Sequence, residues 1–172
     1  IVLAFPNTYF SRPEPKGQMA NMPAVQQEVA SMFDETLAVE PSMDDELPSF
    51  GAKDVTDLSW KHLMEAYTCT ECGRCTSSCP ANLTGKKLSP RKIMMDTRDR
   101  MEELGEYKRQ NGADAHDGKS LISDDYVSTE ELRACTTCNA CVEECPINIS
   151  PLSIIVELRR SMIMEAADSP QE

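Results

Sequence analysis

Apolar residues return at helical spacing in two stretches of this chain. After Ser89-Pro90, Ile93, Thr97, Met101 and Leu104 recur every three or four residues up to Gly105; after Ser150-Pro151, Leu152, Ile155, Leu158 and Met162 do the same. That period is the mark of a helix with one buried face. A serine N-cap accepts an otherwise orphan amide, and proline at the first helical position lacks the donor that would go unsatisfied there. Both stretches are therefore predicted helices with defined starts, and Gly105 is the predicted stop of the first. Shorter helices are predicted over Trp60 to Tyr67 and after Ser128, where Glu131 completes a capping-box pattern. No alternating strand pattern occurs from residue 52 onward, and 109–127, with Asn111-Gly112 and Asp117-Gly118, reads as a polar loop. The predicted fold class is all-α.

Residues 1–51 pattern differently. They hold six of the eleven prolines and an acidic run of Glu40, Asp44, Asp45 and Glu46, with few periodic apolar positions. This composition predicts an extended arm, a linker or a segment draped over a partner, ahead of a folded domain at 52–172. The first five residues, Ile1 to Phe5, are apolar and are followed by Tyr9, Phe10, Arg12 and Lys16. Aromatic residues favour the membrane interface and Lys/Arg the cytoplasmic side. The order fits the end of a membrane helix preceding Ile1, with everything after it on the cytoplasmic side of the cell membrane; a short hydrophobic tail against a partner is the alternative. The absent initiator methionine points to a piece of a longer chain.

The two halves of 52–172 repeat one another. Each has a helical lead-in, a cysteine loop, Cys-Pro-x-Asn-hydrophobic, and Ser-Pro opening a longer helix: Cys79-Pro80-Ala81-Asn82-Leu83 with Ser89-Pro90, then Cys145-Pro146-Ile147-Asn148-Ile149 with Ser150-Pro151. Eight residues separate proline from serine in the first copy and three in the second, so Thr84 to Leu88 is a loop insertion. The halves are expected about a pseudo-twofold axis.

All eight cysteines lie in the repeat as two C-x2-C-x2-C-x3-C-P runs: Cys69, Cys72, Cys75, Cys79 and Cys135, Cys138, Cys141, Cys145. Three closely spaced thiolates can cap three irons of one [4Fe–4S] cube, while the fourth points away and reaches a second. The expected ligand sets are therefore crossed: Cys69, Cys72, Cys75 and Cys145 for one cube, Cys135, Cys138, Cys141 and Cys79 for the other. Gly73 and Asn139, each following a second cysteine, let the loop curl so that its amides face the cluster. Pro80 and Pro146 fix the exit direction.

Two other uses of cysteine fit less well. Structural zinc takes paired C-x2-C knuckles, without the third cysteine and the closing proline. A disulfide framework belongs to small oxidised domains without cores, whereas 40% of this chain is hydrophobic. The thiols are read as reduced and metal-bound. The formal charge is −12, and two oxidised cubes would bring it to about −16. Such a balance, with few aromatic residues, argues against a nucleic-acid partner. No G-x-G-x-x-G fingerprint for flavin or nicotinamide occurs. His62 is a candidate haem ligand against ordinary packing; His116 lies far from it in sequence. Trp60 and Tyr67 are candidates to shield a cluster or to pack, and Arg74 to bond a cluster sulfur, a partner carboxylate or water.

With 55 residues between Cys79 and Cys135, including a whole helix, the scaffold differs from the β-rich one of small ferredoxins. From about Asp57 to Ala166, on its eight cysteines, both Cys-Pro and both Ser-Pro pairs, the chain resembles the α-helical ferredoxin family found in C subunits of heterodisulfide reductase. Ala66 to Cys75 and Leu88 to Lys92 look most like the heterodisulfide reductase type. The resemblance implies an electron-transfer subunit with two [4Fe–4S] clusters and no substrate site, passing single electrons between a membrane- or quinone-linked donor and a catalytic partner. That partner would carry a Cys-Cys-Gly domain or a flavin. The chain itself has no adjacent cysteine pair and none left over, so it lacks the disulfide-reducing centre. A freely diffusing ferredoxin is the alternative, and a zinc-stabilised interaction module a further one.

Overall fold

The computed structural model describes residues 2–10, 23–34 and 50–168. Nine α-helices follow one another among them: α1 (Ala4–Phe10), α2 (Pro23–Phe33), α3 (Trp60–Thr68), α4 (Arg74–Ser77), α5 (Pro80–Leu83), α6 (Pro90–Asn111), α7 (Thr129–Ala134), α8 (Ala140–Glu143) and α9 (Pro151–Arg160), the last continued by a π-turn over Ser161–Glu165. A 3-10 turn, Val55–Asp57, precedes α3. The described residues form no sheet; Ile122 and Val127 make an isolated bridge. The all-α expectation holds.

The anticipated starts are built as the sequence suggested. Ser89 Oγ accepts the amide of Lys92 and Ser150 Oγ that of Ser153, both at 3.3 Å, with Pro90 and Pro151 at the first helical positions. Ser128 Oγ accepts from Glu131 N at 3.4 Å while a Glu131 carboxylate oxygen accepts from Ser128 N at 3.0 Å, closing the capping box. The stop at Gly105 does not hold. That glycine faces open space, and α6 continues to Asn111, ending where the Gly112 amide donates to Lys108 O at 2.9 Å. The core-facing positions finish at Leu104, but the added turns are held by Glu106 with Arg109 (2.7 Å) and Gln110 (2.6 Å). A single mid-helix glycine costs only about 1 kcal/mol. The polar loop accordingly begins at Gly112, not at 109.

The N-terminal arm is not extended throughout. Two of its segments are helical, because Pro6 falls in the first turn of α1 and Pro23 opens α2, where a missing amide donor costs nothing. The small α1 buries Ala4 and Asn7 and lies against α3, exposing Phe5 and Tyr9. The arm's acidic run and residues 11–22 fall outside the described residues. No described helix is long and apolar enough to cross a membrane.

The core of 52–168 lies where α6 packs on α3 and α9, with α7 against α9. Ile93, Ile154, Ile155, Leu158, Leu121, Val127 and Leu132 are wholly buried there. Burial of each such side chain stabilises the fold by about 1.5–3 kcal/mol. The chain enters this core through Gly51, whose φ is +89° and where a Cβ would sit 2.4 Å from Glu157 O, so the close pass over α9 needs glycine. Acidic residues tie the halves crosswise. Glu65 of α3 accepts the Ser150 amide at the head of α9 (3.3 Å), and Glu131 of α7 pairs with Lys92 at the head of α6 (3.1 Å). Glu65 and Glu131 each stand four residues before the first cysteine of their own half.

Arg100 of α6 has no exposed side-chain surface. Its Nε and Nη2 donate to Asp54 at 3.0 and 2.6 Å, Nη1 and Nη2 to Asp117 at 2.5 and 2.8 Å, and Nη2 also to Lys119 O at 3.0 Å. Leu121 N completes Asp54 at 3.1 Å. These hydrogen bonds to Arg100 hold the Asp117 carboxyl well below the usual carboxylate range.

Two outcomes follow from this cluster. Arg100→Leu leaves two carboxylates buried without their cation and lowers stability by about 3–5 kcal/mol, read as a shift in the urea midpoint. The depressed Asp117 pKa adds stability that is complete above its unfolded value, near pH 4 by the usual reference, and is lost as pH falls through the folded value. Asp117→Asn therefore lowers the melting temperature at pH 7 and shrinks the further loss on acidification to pH 3, followed by far-UV circular dichroism.

Candidate metal centre

Each cysteine loop starts at the end of a lead-in helix. Cys69 caps α3, its amide donating to Glu65 O at 3.1 Å, and Cys135 caps α7. Two left-handed residues then alternate with the cysteines in each copy: Glu71 (φ +57°) and Gly73 (φ +81°), matched by Thr137 (φ +55°) and Asn139 (φ +62°). This double reversal turns the backbone amides inward. Thr137 N donates to Cys135 Sγ at 3.4 Å and Glu71 N bonds the Cys69 sulfur likewise, while Ile149 N donates to Cys145 Sγ at 3.3 Å. Cys75 rides on α4 and Cys141 on α8, and these two short helices pack on each other. The two helices hold equivalent places in the two halves of the repeat.

The eight thiols stand around two hollows. Cys69, Cys72 and Cys75 line the first, of about 360 Å3, together with Cys145 from the other motif. Cys135, Cys138 and Cys141 line the second, of about 300 Å3, together with Cys79. Residues at equivalent repeat positions wall them: Met94, Ile149 and Pro151 at the first, Ile155, Leu88 and Pro90 at the second. Two equivalent lining pairs differ in kind: Gly73 and Arg91 line the first hollow where Asn139 and Leu152 line the second. Among the described residues no three Cys, His, Asp or Glu side chains converge closely enough for a single bare ion.

Burial raises the pKa of Cys69, Cys75 and Cys135, and pushes Cys141 up to about 12, with neighbouring cysteines adding to the rise. Such thiols keep their protons at neutral pH until a positive metal core offsets the charge, so loading releases protons. Four sulfur donors, apolar walls and amides aimed at sulfur suit a [4Fe–4S] cube in each hollow.

Two clamping arginines went unread in the sequence. Arg98 of α6 holds Glu71 at 2.8 Å, and Arg159 of α9 donates to the carbonyls of Leu132 (2.7 Å) and Cys135 (2.5 Å). Both stand nine residues after the serine that caps their helix, so the repeat carried the signal. The left-handed Glu71 and Thr137 had none, because neither residue type favours that conformation. Trp60 and Tyr67 line neither hollow; Trp60 is 79% exposed. Arg74 is exposed beside Cys72, and neither His62 nor His116 borders a hollow.

A helical scaffold with two four-thiol hollows defines a dicluster iron–sulfur protein. Residues 68–149 match the family described as the 4Fe-4S dicluster domain, which implies two [4Fe–4S] clusters. Over 168 residues it is 31% identical to a protein of Syntrophomonas wolfei named EtfAB:quinone oxidoreductase, covering 83% of this chain and 24% of that one. It is 32% identical over 142 residues to a probable membrane-anchored ferredoxin of Chromohalobacter salexigens (74% and 21%). It is 31% identical over 109 residues to one subunit of a ferredoxin/F(420)H(2)-dependent CoB-CoM heterodisulfide reductase from Methanosarcina acetivorans (63% and 53%). The chain thus spans between about a fifth and a half of these relatives. No solved structure matches it.

Gly73→Ala forces a Cβ into φ +81°, at a cost of roughly 1–2 kcal/mol. The expected result is less iron and labile sulfide per chain after anaerobic reconstitution, whereas Asn139→Gly keeps the parent content.

Proposed function

We propose that Cys69, Cys72, Cys75 and Cys145 hold one cube and Cys135, Cys138, Cys141 and Cys79 the other, and that the chain relays single electrons between a membrane- or quinone-linked donor and a catalytic redox partner. The observation that carries this reading is the interleaving of the thiols, three from one motif and the fourth from the other around each hollow. When bound, each cube takes up and releases one electron. Met94, Ile149, Leu88 and Ile155 keep water from the inner sulfurs, which sets the potential together with the inward amides. The α4–α8 contact brings Cys75 near Cys141, whose thiol feels it electrostatically, so the two sites are neighbours. Cys72 and Cys138 are exposed, and they mark where each site meets the surface.

The names of the relatives support the wider setting. A quinone oxidoreductase and a heterodisulfide reductase subunit are consistent with a partner bearing a flavin or a Cys-Cys-Gly centre. The likeness to a protein named as a membrane-anchored ferredoxin supports work at a membrane over free diffusion.

Paired substitutions test the crossed ligation. Cys79→Ser with Cys135→Ser is expected to damage one site and leave a single uncoupled low-temperature EPR signal in the dithionite-reduced chain, with about half the iron on the four-iron stoichiometry of each cube. Cys79→Ser with Cys69→Ser is expected to damage both. The opposite pattern would mean that each motif ligates its own cube.

A further inference from the structure

Arginines at matching places hold the two cysteine loops, yet their charges end differently. In the first copy Arg98, nine residues after Ser89, pairs with Glu71 at 2.8 Å and with Asp99 at 3.5 Å. Glu71 itself lines the first hollow. In the second copy Arg159, nine residues after Ser150, donates to three backbone carbonyls: Leu132 at 2.7 Å, Arg133 at 3.2 Å and Cys135 at 2.5 Å. Thr137 takes the place of Glu71, and Arg160 that of Asp99; Arg160 pairs with Glu157 at 2.5 Å. A carbonyl orients a guanidinium without cancelling its charge.

The two sites therefore meet different fields. Cys69 feels the Glu71 carboxylate, whereas Cys135 feels the Arg159 guanidinium. Arg159 is half-buried, so water and salt screen it incompletely. Arg91 also lines the first hollow, but it is exposed and more fully screened. Arg133, at the end of α7, is paired with Asp168 at 2.7 Å. An electron added to a cube makes it more negative by one charge; an uncancelled cation nearby stabilises that form, and a carboxylate opposes it.

We propose that Arg159 raises the reduction potential of the cube at Cys135, Cys138, Cys141 and Cys79 above that of its twin, so that an electron entering the relay rests there first. This rests on the relay reading above. No bond forms or breaks in the step: the donor loses one electron and the second cube gains it. Arg159 is a positioning residue for the loop, and it also brings the charge that orders the two sites.

The test is an EPR-monitored redox titration of the full anaerobic holoprotein with dithionite, in which the parent chain is expected to take up two electrons in separate waves. Arg159→Gln is expected to shift the oxidised-to-reduced ratio of the upper wave on the order of tenfold, a lowering of about 59 mV for a one-electron couple, and to leave the lower wave in place. Arg159→Lys keeps the charge while losing the fork, and its upper wave is expected to stay near the parent's. Glu71→Gln leaves the second loop untouched and is expected to raise the lower wave, which keeps the proposal open to failure even where Arg159→Gln loads no iron. In the Cys79→Ser, Cys135→Ser chain, which retains the first cube, Arg159→Gln is expected to move nothing. A single wave in the parent, an upper wave unmoved by Arg159→Gln, an equal drop in Arg159→Lys, or a lower wave unmoved by Glu71→Gln would overturn the assignment while the relay stands. A chain that accepts no electron from dithionite would overturn the relay reading and this inference with it.

Discussion

One buried guanidinium fixes the frame on which both metal sites stand. Arg100 gives up all contact with water, which is tolerable because it donates five hydrogen bonds to two carboxylates and a carbonyl instead. The Tyr126 ring lies 6.0 Å from it. Its partners come from two stretches of sequence, the entry segment at Asp54 and the loop at Asp117 and Lys119, and it ties both to α6. Joining them fixes the rotation of α6 about its axis. That rotation sends Ile93 and Thr97 into the core and brings Arg91 and Met94 to the first hollow. The loop from Gly112 to Val127 has few apolar anchors, and it owes its course largely to this cation and to the burial of Leu121 and Val127.

Neither cysteine motif makes a site alone. Each hollow is lined by three cysteines of one motif and the fourth of the other, and the scaffold repeats that crossing in its polar contacts. Glu65 reaches from the first lead-in helix to the head of the second long helix, and Glu131 makes the reciprocal reach. The arginines work within their halves, Arg98 holding the first loop and Arg159 the second. Crossed carboxylates set the halves against one another, and same-half arginines press each loop onto its own helix. With buried thiols and left-handed residues in both loops, the fold before metal carries strain and desolvation that metal binding can repay, so loading and folding are linked.

Most of this was legible because the sequence repeats. The cysteine spacing pointed to the metal, the Ser-Pro pairs gave the starts of α6 and α9, and Ser128 with Glu131 gave that of α7. What escaped was of two physical kinds. Long-range polar contacts such as Asp54–Arg100–Asp117 join residues 46 and 17 positions apart and leave no periodic trace. Local features misled where one residue type serves two ends: Pro6 and Pro23 suggested extended chain but sit in first helical turns, and Gly105 suggested a stop but is tolerated within a helix. The partial exceptions are Arg98 and Arg159 with Glu65 and Glu131, which hold matching places in the two copies. Comparing the copies position by position, beyond the cysteines, would have found them.

The same comparison separates what the repeat must keep from what it is free to vary. The cysteines and the cross-bracing glutamates are the same in both copies, most hollow walls are alike in kind, and the loops curl through left-handed residues at matching places, because each does the same physical job twice. Departures concentrate at the surface: the insertion from Thr84 to Leu88, Arg74 against Ala140, and Ser77 and Ser78 against Glu143 and Glu144. Arg91 against Leu152 is a departure that reaches a hollow, with the Arg91 guanidinium near Gly73. A relay needs its two sites alike in how they hold a cluster and unlike in what they meet outside. Constraint within and divergence at the rims is the pattern such a requirement leaves.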